Sequence, residues 1–539
     1  MLRSHADEKE KEKEKEKDMS STTFEKKKSA PNGVIRVVIT AIAAVIEVAV
    51  VILLLLIGNY YLRYLTVVLT ILAVILTLII YSSPKPATIK MPWLIFILSF
   101  PAFGLIMYLF AGLSGSVMGA RKRYKAVNEK LGEFRKKNDE TLADLRQKDP
   151  SSAGIASYLQ NRLGFSIYDN SDITYFGETT DCLDDMIAHL NEAKEFIFME
   201  YFAIEDSDAF HRVLEVLERK VKEGVEVRVF YDDLGSIGFI GFSFAKKLTA
   251  LGIECRVFNP FSIFANFLLN NRDHRKIMVI DGKVGYTGGF NMADEYFHLT
   301  EPYGHWFDSA VRIEGEAVRS LTLIFLENWT AHKLAKREEE EADWSKYLPE
   351  VTYEAKEKCY IQPYSDSPGD DDRTGENVYL NIANTSKEYL YISTPYLIIT
   401  DEMVSALTLA AKRGVDVRIL TPGIPDKKMV YSITRSYYYM LCRDGVRIYE
   451  YTPGFNHAKL CVSDDVVATC GTINFDYRSL YHNFEDGCIF YYSEEVKKER
   501  DNLLELFGQS EEVTEKYAVK RAAILRAGQM LLRLIAPLL

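Results

Sequence analysis

One phrase of this sequence occurs twice, and no other feature constrains the fold as strongly. Residues 274–291 read HRKIMVIDGKVGYTGGFN, and residues 457–474 read HAKLCVSDDVVATCGTIN. Each copy begins His-x-Lys, places an Asp five residues after the Lys, and ends in an Asn 17 residues after the His. Four residue types repeated at fixed spacing indicate a duplicated unit, so the chain is predicted to fold as two related halves.

The repetition extends upstream of both phrases. The apolar run 195–204, EFIFMEYFAI, matches 388–397, EYLYISTPYL, and 222–233, KEGVEVRVFYDD, matches 412–423, KRGVDVRILTPG. The apolar runs have the length of buried strands, and a Gly marks each point where a helix gives way to a strand. This alternation predicts an α/β fold of two pseudo-symmetric halves, each with a mixed, mostly parallel β-sheet flanked by helices.

Changes in composition divide the rest of the chain. We predict five segments: a charged disordered tail (1–33), a membrane region (34–118), a basic linker (119–165), a first half (166–345), and a second half ending in an amphipathic helix (346–539). The tail alternates Glu and Lys and has little apolar surface to bury, which is typical of disorder. The charged residues 336–350 are expected to connect the halves across the surface.

Charge and cysteine content argue against two classes of function. The 539 residues carry a net charge of −11, so the chain lacks the basic footprint that nucleic-acid binding needs, and no nucleic-acid partner is expected. Seven cysteines without a C-x-x-C pair indicate reduced thiols in a cytosolic domain rather than a zinc site or a disulfide framework.

Three apolar runs near the N-terminus have the length of membrane segments. They are residues 37–57, 64–81 and 93–112, and the third is interrupted by Pro101 and Gly104. Basic residues concentrate after the third run, beginning with RKRYK. The positive-inside rule therefore predicts a multi-pass protein of the cell membrane with its catalytic region on the cytoplasmic side.

Two topologies fit these runs. One is a two-helix hairpin followed by a third segment that enters the bilayer and turns back at its Pro/Gly break. The other is three full spans. Glu47 lies within the first run, where a carboxylate needs a partner, and this leaves a homo-oligomer open.

The repeated phrase points to phosphate chemistry. Alternate residues of a strand point to one side, so His274 and Lys276 share a face, as do His457 and Lys459. An ammonium beside each imidazole would repel a metal ion, whereas imidazole, ammonium and amide groups together suit a phosphate. Each set makes half a site. Two facing sets would supply a nucleophile and a general acid at one phosphorus.

These motifs carry a resemblance to a known family. Two H-x-K-x4-D motifs, each followed by an Asn, resemble the phospholipase D superfamily. The apolar front end, with GGFNMADEY (288–296), FNHAKL (455–460) and NFDYRSLYHNFE (474–485), resembles the bacterial cardiolipin synthases from about residue 34 onward. The chain departs from that family at Phe307, where its members usually have Arg.

The resemblance implies a phosphatidyltransferase that converts two phosphatidylglycerol molecules into cardiolipin and glycerol without a metal or cofactor. One His would attack phosphorus and form a phosphatidyl-histidine. The other would protonate the departing glycerol and then deprotonate the second substrate. We assign His274 as the nucleophile and His457 as the acid/base, although the pseudo-symmetry leaves the reverse assignment open. Phospholipid and the lipid bilayer are the implied partners.

Supporting roles follow from the same resemblance. The groups expected to hold the phosphate are Lys276, Lys459, Asn291 and Asn474. The carboxylates of Asp308 and Glu485 would each orient one His, and Glu200 is a further supporting residue. Asp281 and Asp464 complete the catalytic motif, but their place at a strand end, on the face opposite the Lys, favours a structural role.

Two alternatives remain open at this point. A phospholipase D-type phosphodiesterase that hydrolyses phospholipid would use the same residues, because only exclusion of water from the second step separates transfer from hydrolysis. Hydrolysis of nucleic acid is disfavoured by the acidic composition and the membrane segments. A membrane-anchored binding protein with a degenerate site is disfavoured because both motifs are intact.

Overall fold

A computed structural model gives the fold of most of the chain. It describes residues 65–83, 86–108, 115–260, 271–332, 343–369 and 372–519, with isolated positions within 38–57 and 528–536. The predicted N-terminal tail lies outside the described residues, as do most of the predicted membrane helix 37–57 and most of the predicted C-terminal helix.

Helices occur throughout the described residues. The α-helices, α1 to α16 in chain order, are Leu65–Ser82, Ala87–Ser99, Pro101–Met107, Gly115–Leu131, Asp139–Lys148, Pro150–Ser157, Thr179–Glu192, Asp208–Lys222, Phe244–Ala250, Val318–Ala331, Thr374–Thr385, Asp401–Lys412, Lys428–Cys442, Tyr477–Tyr481, Glu494–Gly508 and Thr514–Ala518. Short 3-10 helices are Gly132–Phe134, Asp294–Phe297 and Trp344–Tyr347, and Tyr158–Arg162 is a π-helical turn.

The strands fall into two large sheets and one small one. In chain order, β1 to β18 are Ser171–Phe176, Phe196–Tyr201, Glu226–Asp232, Glu254–Phe258, Arg272–Asp273, Lys276–Ile280, Val284–Gly288, His305–Phe307, Ala310–Gly315, Tyr360–Asp366, Tyr389–Ser393, Asp416–Pro422, Arg447–Tyr451, Gly454–Asn456, Leu460–Ser463, Val467–Gly471, Asn483–Tyr491 and Glu511–Glu512.

The two large sheets have the same order, which confirms the predicted duplication. The first runs β1-β9-β7-β6-β2-β3-β4, and the second runs β10-β17-β16-β15-β11-β12-β13-β18. Each strand of the first sheet has its counterpart at the same place in the second, and β18 extends the second sheet by one strand. The repeated phrases fill the same positions, β6–β7 in one half and β15–β16 in the other.

The prediction of mostly parallel sheets was wrong, since both sheets are mixed and mainly antiparallel. In the first sheet only β2–β3 and β3–β4 are parallel, and in the second only β11–β12, β12–β13 and the short β5–β17 pair are. The helical crossovers are confined to these neighbours. Each repeated phrase instead folds as an antiparallel hairpin whose turn begins at Asp281 or Asp464.

Two short parallel pairings exchange strands between the halves. Strand β5, which leads into His274, pairs with residues 483–484 of the second half. Strand β14, which leads into His457, pairs with β8 of the first half. Each histidine motif is therefore entered through a strand that the opposite half holds in place.

Apolar residues form a layered core around the sheets. One cluster lies between the halves and combines Phe198 and Ile277 of the first with Tyr391 and Leu460 of the second. Two further clusters pack the outer faces of the sheets against their helices. A large shared apolar layer fixes the relative position of the two motifs, because burial is the dominant stabilising term.

The connection between the halves is less exposed than its charge predicts. Of residues 336–350, the structure describes 343 onward, and there Trp344 and Tyr347 are buried. The Tyr347 hydroxyl accepts from Arg228 and donates to Glu226, both at 2.6 Å. The aromatic residues of this segment thus pack on the first sheet, although the charged residues around them predicted an exposed segment.

The described part of the predicted membrane region is helical and compact. Helix α2 ends at Ser99, and α3 begins at Pro101 and packs back on it, with Gly104 so close to Ile97 that a Cβ would lie 2.7 Å from its Cα. Large side chains such as Leu78 and Phe100 are exposed. Within the described ranges, no helix combines the length and the hydropathy needed to span a membrane.

Candidate active site

The opposite half of the chain holds His274 in place. Its backbone N–H donates to the carbonyl of Phe484 at 2.8 Å, which continues the β5–β17 pairing. Its Nδ1 lies 2.8 Å from Oε2 of Glu485, and that carboxyl group is fully buried. When the Glu485 carboxyl group is ionised it can only accept, so in that state Nδ1 carries the proton and Nε2 keeps its lone pair.

His457 has the equivalent environment. Its backbone N–H donates to the carbonyl of Phe307 at 2.8 Å, and its Nδ1 lies 2.6 Å from Oδ2 of Asp308. Phe307 is itself buried, so an apolar residue anchors the strand at this position. Each imidazole therefore takes its carboxylate partner from the other half, and neither half can orient its own His.

The residue that follows each hairpin makes a different contact with the nearby carboxyl group, Glu485 or Asp308. Thr472 donates from Oγ1 to Oε2 of Glu485 at 2.5 Å. At the equivalent position of the first half is Gly289, where a Cβ would lie 2.0 Å from Oδ1 of Asp308. The missing side chain makes room for Asp308, so this Gly is a requirement of the His457–Asp308 pair.

The two motif lysines reach the site from their own strands. Lys276 Nζ donates to the carbonyl of His274 at 2.6 Å. Lys459 Nζ donates to the carbonyl of His457 and lies 2.9 Å from Nδ1 and 3.1 Å from Nε2 of that ring. Lys276 therefore bonds the backbone of its His and Lys459 also lies against the ring of its own, so the two imidazoles differ in how close the motif lysine is.

Burial sets the charge state of these four groups. Desolvation lowers the pKa of Lys276 to about 8 and that of Lys459 to about 7. It also lowers the pKa of His457 to about 3 and that of His274 well below its ordinary value, and the charges of both lysines lower them further. Both imidazoles are neutral at rest. Since each lysine acts on the His of the other half, the two motifs form one site.

The two carboxylates differ in charge. Burial acts to raise the pKa of Asp308, but the adjoining His457 and Lys459 groups outweigh it and hold that pKa below its ordinary value. Burial raises the pKa of Glu485 to about 7, which exceeds the opposing effect of Lys276. The pair at His457 therefore keeps a fixed negative charge, whereas the pair at His274 gains or loses a proton near neutral pH.

The two asparagines, predicted as a pair, are not equivalent. Asn291 is tied to the protein, because its Nδ2 donates to the Tyr296 hydroxyl at 2.7 Å and its Oδ1 accepts from Ala203 N–H at 3.2 Å. Asn474 is buried, and its Oδ1 has no partner among the described residues. A buried, unpaired amide atom beside the two motifs is the more available of the two for a ligand.

The motif aspartates lie away from the imidazoles, at the hairpin turns. The Asp281 carboxylate accepts from the backbone N–H groups of residues 194–196 at 2.8–2.9 Å. Asp464 does the same for residues 387–389 at 2.7–2.9 Å. Both have positive φ, 52° and 58°. Their bonds tie the turn of each hairpin to the start of the central strand, so these carboxylates hold the sheet together and do not reach the imidazoles.

A buried polar network beneath His274 escaped sequence reasoning, apart from Glu200. The fully buried Arg275 places its Nη1 3.9 Å from Glu200 Oε1, which also accepts from Asn328 Nδ2 at 2.6 Å. The Asn328 amide oxygen in turn accepts from the Tyr124 hydroxyl. The sequence carries one sign of this network: the middle residue of H-x-K is Arg275 in the first copy and Ala458 in the second.

Comparison with known proteins places this geometry in a family. A family model described as the cardiolipin synthase, phospholipase D-like domain matches residues 186–329 and 379–506, which include both histidine motifs and make up about half of the chain. A second model, a phospholipase D-nuclease N-terminal segment, matches residues 68–112.

The chain belongs to the cardiolipin synthase family. A cardiolipin synthase of Halalkalibacterium halodurans is 32% identical over 485 residues, which are 88% of this chain and 93% of that protein. One from Listeria monocytogenes is 31% identical over 490 residues, 89% and 99% of the two chains. An uncharacterized Streptococcus mutans protein is 39% identical over 447 residues, 83% and 96% of the two.

A solved structure agrees with the cardiolipin synthase assignment at the level of the fold. The phosphatidylserine synthase of Haemophilus influenzae superimposes with a TM-score of 0.54 at 14% identity, covering 70% of this chain and 98% of that one. The predicted resemblance is confirmed. As a member of the cardiolipin synthase family, the chain is an enzyme, a phosphatidyltransferase of the phospholipase D superfamily.

Proposed function

We propose that the protein makes cardiolipin by transferring a phosphatidyl group from one phosphatidylglycerol to another, with release of glycerol. One observation carries the proposal. Two neutral imidazoles, each oriented by a carboxylate from the other half, share one buried site with two lysines. Two imidazoles with separate partners can take the opposite roles that a double displacement requires.

In the first step, Nε2 of His274 attacks the phosphorus of phosphatidylglycerol. The phosphorus–oxygen bond to the headgroup glycerol breaks, and the glycerol oxygen takes a proton from His457. An anionic phosphodiester lying between Lys276 and Lys459 offsets the positive charge that lowers the pKa of His457. Substrate binding therefore raises that pKa and prepares the imidazole to act as the acid, while the ionised Asp308 stabilises the imidazolium.

In the second step, the headgroup hydroxyl of another phosphatidylglycerol gives its proton to His457. Its oxygen attacks the phosphorus, and the bond to His274 Nε2 breaks. Cardiolipin leaves with His274 neutral again, and His457 has regained the proton that it gave to the glycerol. That proton passes to the solvent when the emptied site restores the low pKa of His457. Transfer wins over hydrolysis as long as the buried site admits this hydroxyl in preference to water.

The difference between the two imidazoles supports His274 as the nucleophile. The Lys276 ammonium donates to the His274 carbonyl, and the ring of His274 bonds Glu485 through Nδ1, which leaves Nε2 clear of the motif lysine. Nε2 of His457 lies 3.1 Å from the Lys459 ammonium, so a proton can pass between these groups. A nitrogen already engaged by an ammonium is a weaker nucleophile and a better-placed acid/base.

We further propose that the protein is a multi-pass protein of the cell membrane with its catalytic region at the cytoplasmic surface. The three apolar runs and the basic residues after them support this topology. Exposed large apolar side chains on α1 and α2, among them Leu78, would otherwise face water. A phosphatidylglycerol substrate lies in the bilayer, so this attachment brings the site to its substrate.

Product analysis with purified protein tests the proposed function. Full-length protein is incubated with vesicles containing phosphatidylglycerol labelled in its acyl chains, and the lipids are separated by thin-layer chromatography. We expect cardiolipin as the labelled product and one glycerol for each cardiolipin. His274→Gln and His457→Gln should each abolish product, whereas His189→Gln, which removes a half-buried imidazole on α7, should not. Phosphatidic acid as the sole product would replace the synthase proposal with a hydrolase.

A further inference from the structure

A second cluster of imidazole and carboxylate groups lies outside the phosphate site. Its members are His298, His305 and Glu178, and one potential ligand atom from each lies within 4.8 Å of the others. They come from separate elements. Glu178 precedes helix α7, His298 follows the 3-10 helix Asp294–Phe297, and His305 begins β8. The reaction proposed above uses none of them.

The geometry brings the three side chains to one point. The imidazoles of His298 and His305 stack with centroids 4.5 Å apart and planes 21° from parallel. His298 Nε2 lies 3.3 Å from Oε2 of Glu178. The backbone of His298 adopts a positive φ of 55°, a left-handed conformation that is uncommon outside Gly but is enriched in Asn, Asp and His.

A hydroxyl group from the second half of the chain contacts His305. Its Nδ1 lies 2.9 Å from the hydroxyl of Tyr451, a buried residue at the end of β13. When Nδ1–H donates to that hydroxyl, Nε2 keeps a lone pair. A hydrogen bond on the far nitrogen is the arrangement that orients metal-binding histidines in proteins.

A His–Glu ion pair does not account for the whole cluster. Such a pair would use one imidazole, yet two are present, and Nδ1 of His298 is buried with no partner among the described residues. Two imidazoles stacked side by side, one of them with an unpartnered buried nitrogen, suit a shared cation that accepts their lone pairs.

We propose that His298, His305 and Glu178 bind one divalent transition-metal ion of the zinc class. Two nitrogens and one carboxylate oxygen suit such an ion, and three protein ligands leave a fourth position for water. Side-chain rotations shorten the ligand separations to bonding distance, which the exposed Glu178 and the half-buried His298 permit. The proposal is independent of the reaction assigned to the other site.

Binding of a metal ion would hold the segment 298–305 in place. A metal ion here ties the segment 298–305 to the start of α7, and Tyr451 links it to the second half. Three residues after His305, the same segment provides Asp308, which orients His457. The ion would thus brace the strand that positions one of the two imidazoles, without touching the phosphate.

Metal titration of the intact protein tests the proposal. Full-length protein purified without a histidine tag is stripped with a chelator and titrated with Co²⁺, whose visible absorption reports a low-coordinate nitrogen and oxygen site, and then with Zn²⁺ in competition. We expect one ion per chain. His298→Ala, His305→Gln and Glu178→Gln should each weaken the Kd by more than about 100-fold, because each removes a direct ligand.

Two further variants make the test decisive. Tyr451→Phe removes only the hydrogen bond to His305 and should weaken the Kd by about 10- to 100-fold. His189→Gln, in a His–Asp pair with a single imidazole, should leave it unchanged. Circular dichroism checks that every variant is folded. Absence of stoichiometric uptake by the wild type, or uptake that survives Glu178→Gln and His298→Ala together, would overturn the proposal.

Discussion

At the scale of single residues, the direction of each side chain separates the roles within the repeated phrase. His and Lys reach the shared site, whereas the Asp turns away to hold the sheet. The sequence predicted the imidazoles, the lysines and both partner carboxylates as members of the set. It did not predict which carboxylate meets which imidazole, because that pairing crosses between halves that are far apart along the chain.

Gly289→Ala tests the steric requirement at the His457–Asp308 pair. The new Cβ would lie 2.0 Å from Oδ1 of Asp308 and must displace it. A displacement of about 1 Å at an orienting group lowers kcat by roughly 100-fold. Gly238→Ala is the matched control, since a Cβ there meets nothing within 4 Å. Both variants are assayed for cardiolipin formation, and unchanged kcat in Gly289→Ala would show that the contact does not hold Asp308.

Glu485→Gln tests the buried carboxyl group through the pH dependence of stability. Its pKa rises from 4.5 to about 7 on folding, so between these values the unfolded chain ionises while the folded chain does not. Wild-type stability from this group is complete below pH 4.5 and falls by about 3 kcal/mol as pH approaches 7. Gln cannot ionise. Thermal unfolding of both proteins is measured at pH 5 and pH 8. The melting temperature of the variant relative to that of the wild type should be several degrees higher at pH 8 than at pH 5. An equal difference at both pH values would contradict the raised pKa of Glu485.

At the scale of secondary-structure elements, the sequence predicted more of the strands than of their directions. The apolar runs and the β-α-β alternation located β2, β3, β11 and β12 and their crossover helices. The antiparallel hairpins were missed, although the Asp-Gly at 281–282 and Asp-Asp at 464–465 are turn signals with positive φ.

Asp281→Ala and Asp281→Asn separate structure from catalysis at this hairpin. Ala leaves three backbone N–H groups without their acceptor and occupies a positive φ, so we expect a loss of about 3 kcal/mol in stability. Asn tolerates that φ and keeps one acceptor oxygen, so its loss should be smaller. Thermal unfolding measures both. Activity per folded molecule should stay near wild type, and a large fall in kcat without a fall in melting temperature would return Asp281 to the chemistry.

At the scale of the whole molecule, the site exists only because the halves exchange strands. Strands β5 and β14 cross to the opposite half, and each brings its His to the carboxylate of the other. The duplication and the overall fold class could be predicted because repeated motifs and strand–helix alternation are visible in short stretches of sequence. The crossing could not, because it depends on packing between residues such as His274 and Glu485, which are 211 positions apart.

Co-expression of two inactive variants tests whether one chain holds the complete site. His274→Gln and His457→Gln are expressed together and assayed for cardiolipin against each variant alone. Because both imidazoles and both carboxylates come from one chain, the mixture should show only the residual activity of its parts. Wild type co-expressed with either variant controls for expression. Recovered activity in the mixture would mean that the site forms between chains.

The most direct measurement is capture of the covalent intermediate. Protein and phosphatidylglycerol with labelled phosphate are mixed, denatured at alkaline pH within a fraction of a turnover, digested and mapped by mass spectrometry. The two-imidazole site predicts a phosphatidyl group on His274 in the wild type and none in His274→Gln. A phosphatidyl group on His457, or no covalent adduct while cardiolipin is being formed, would contradict it.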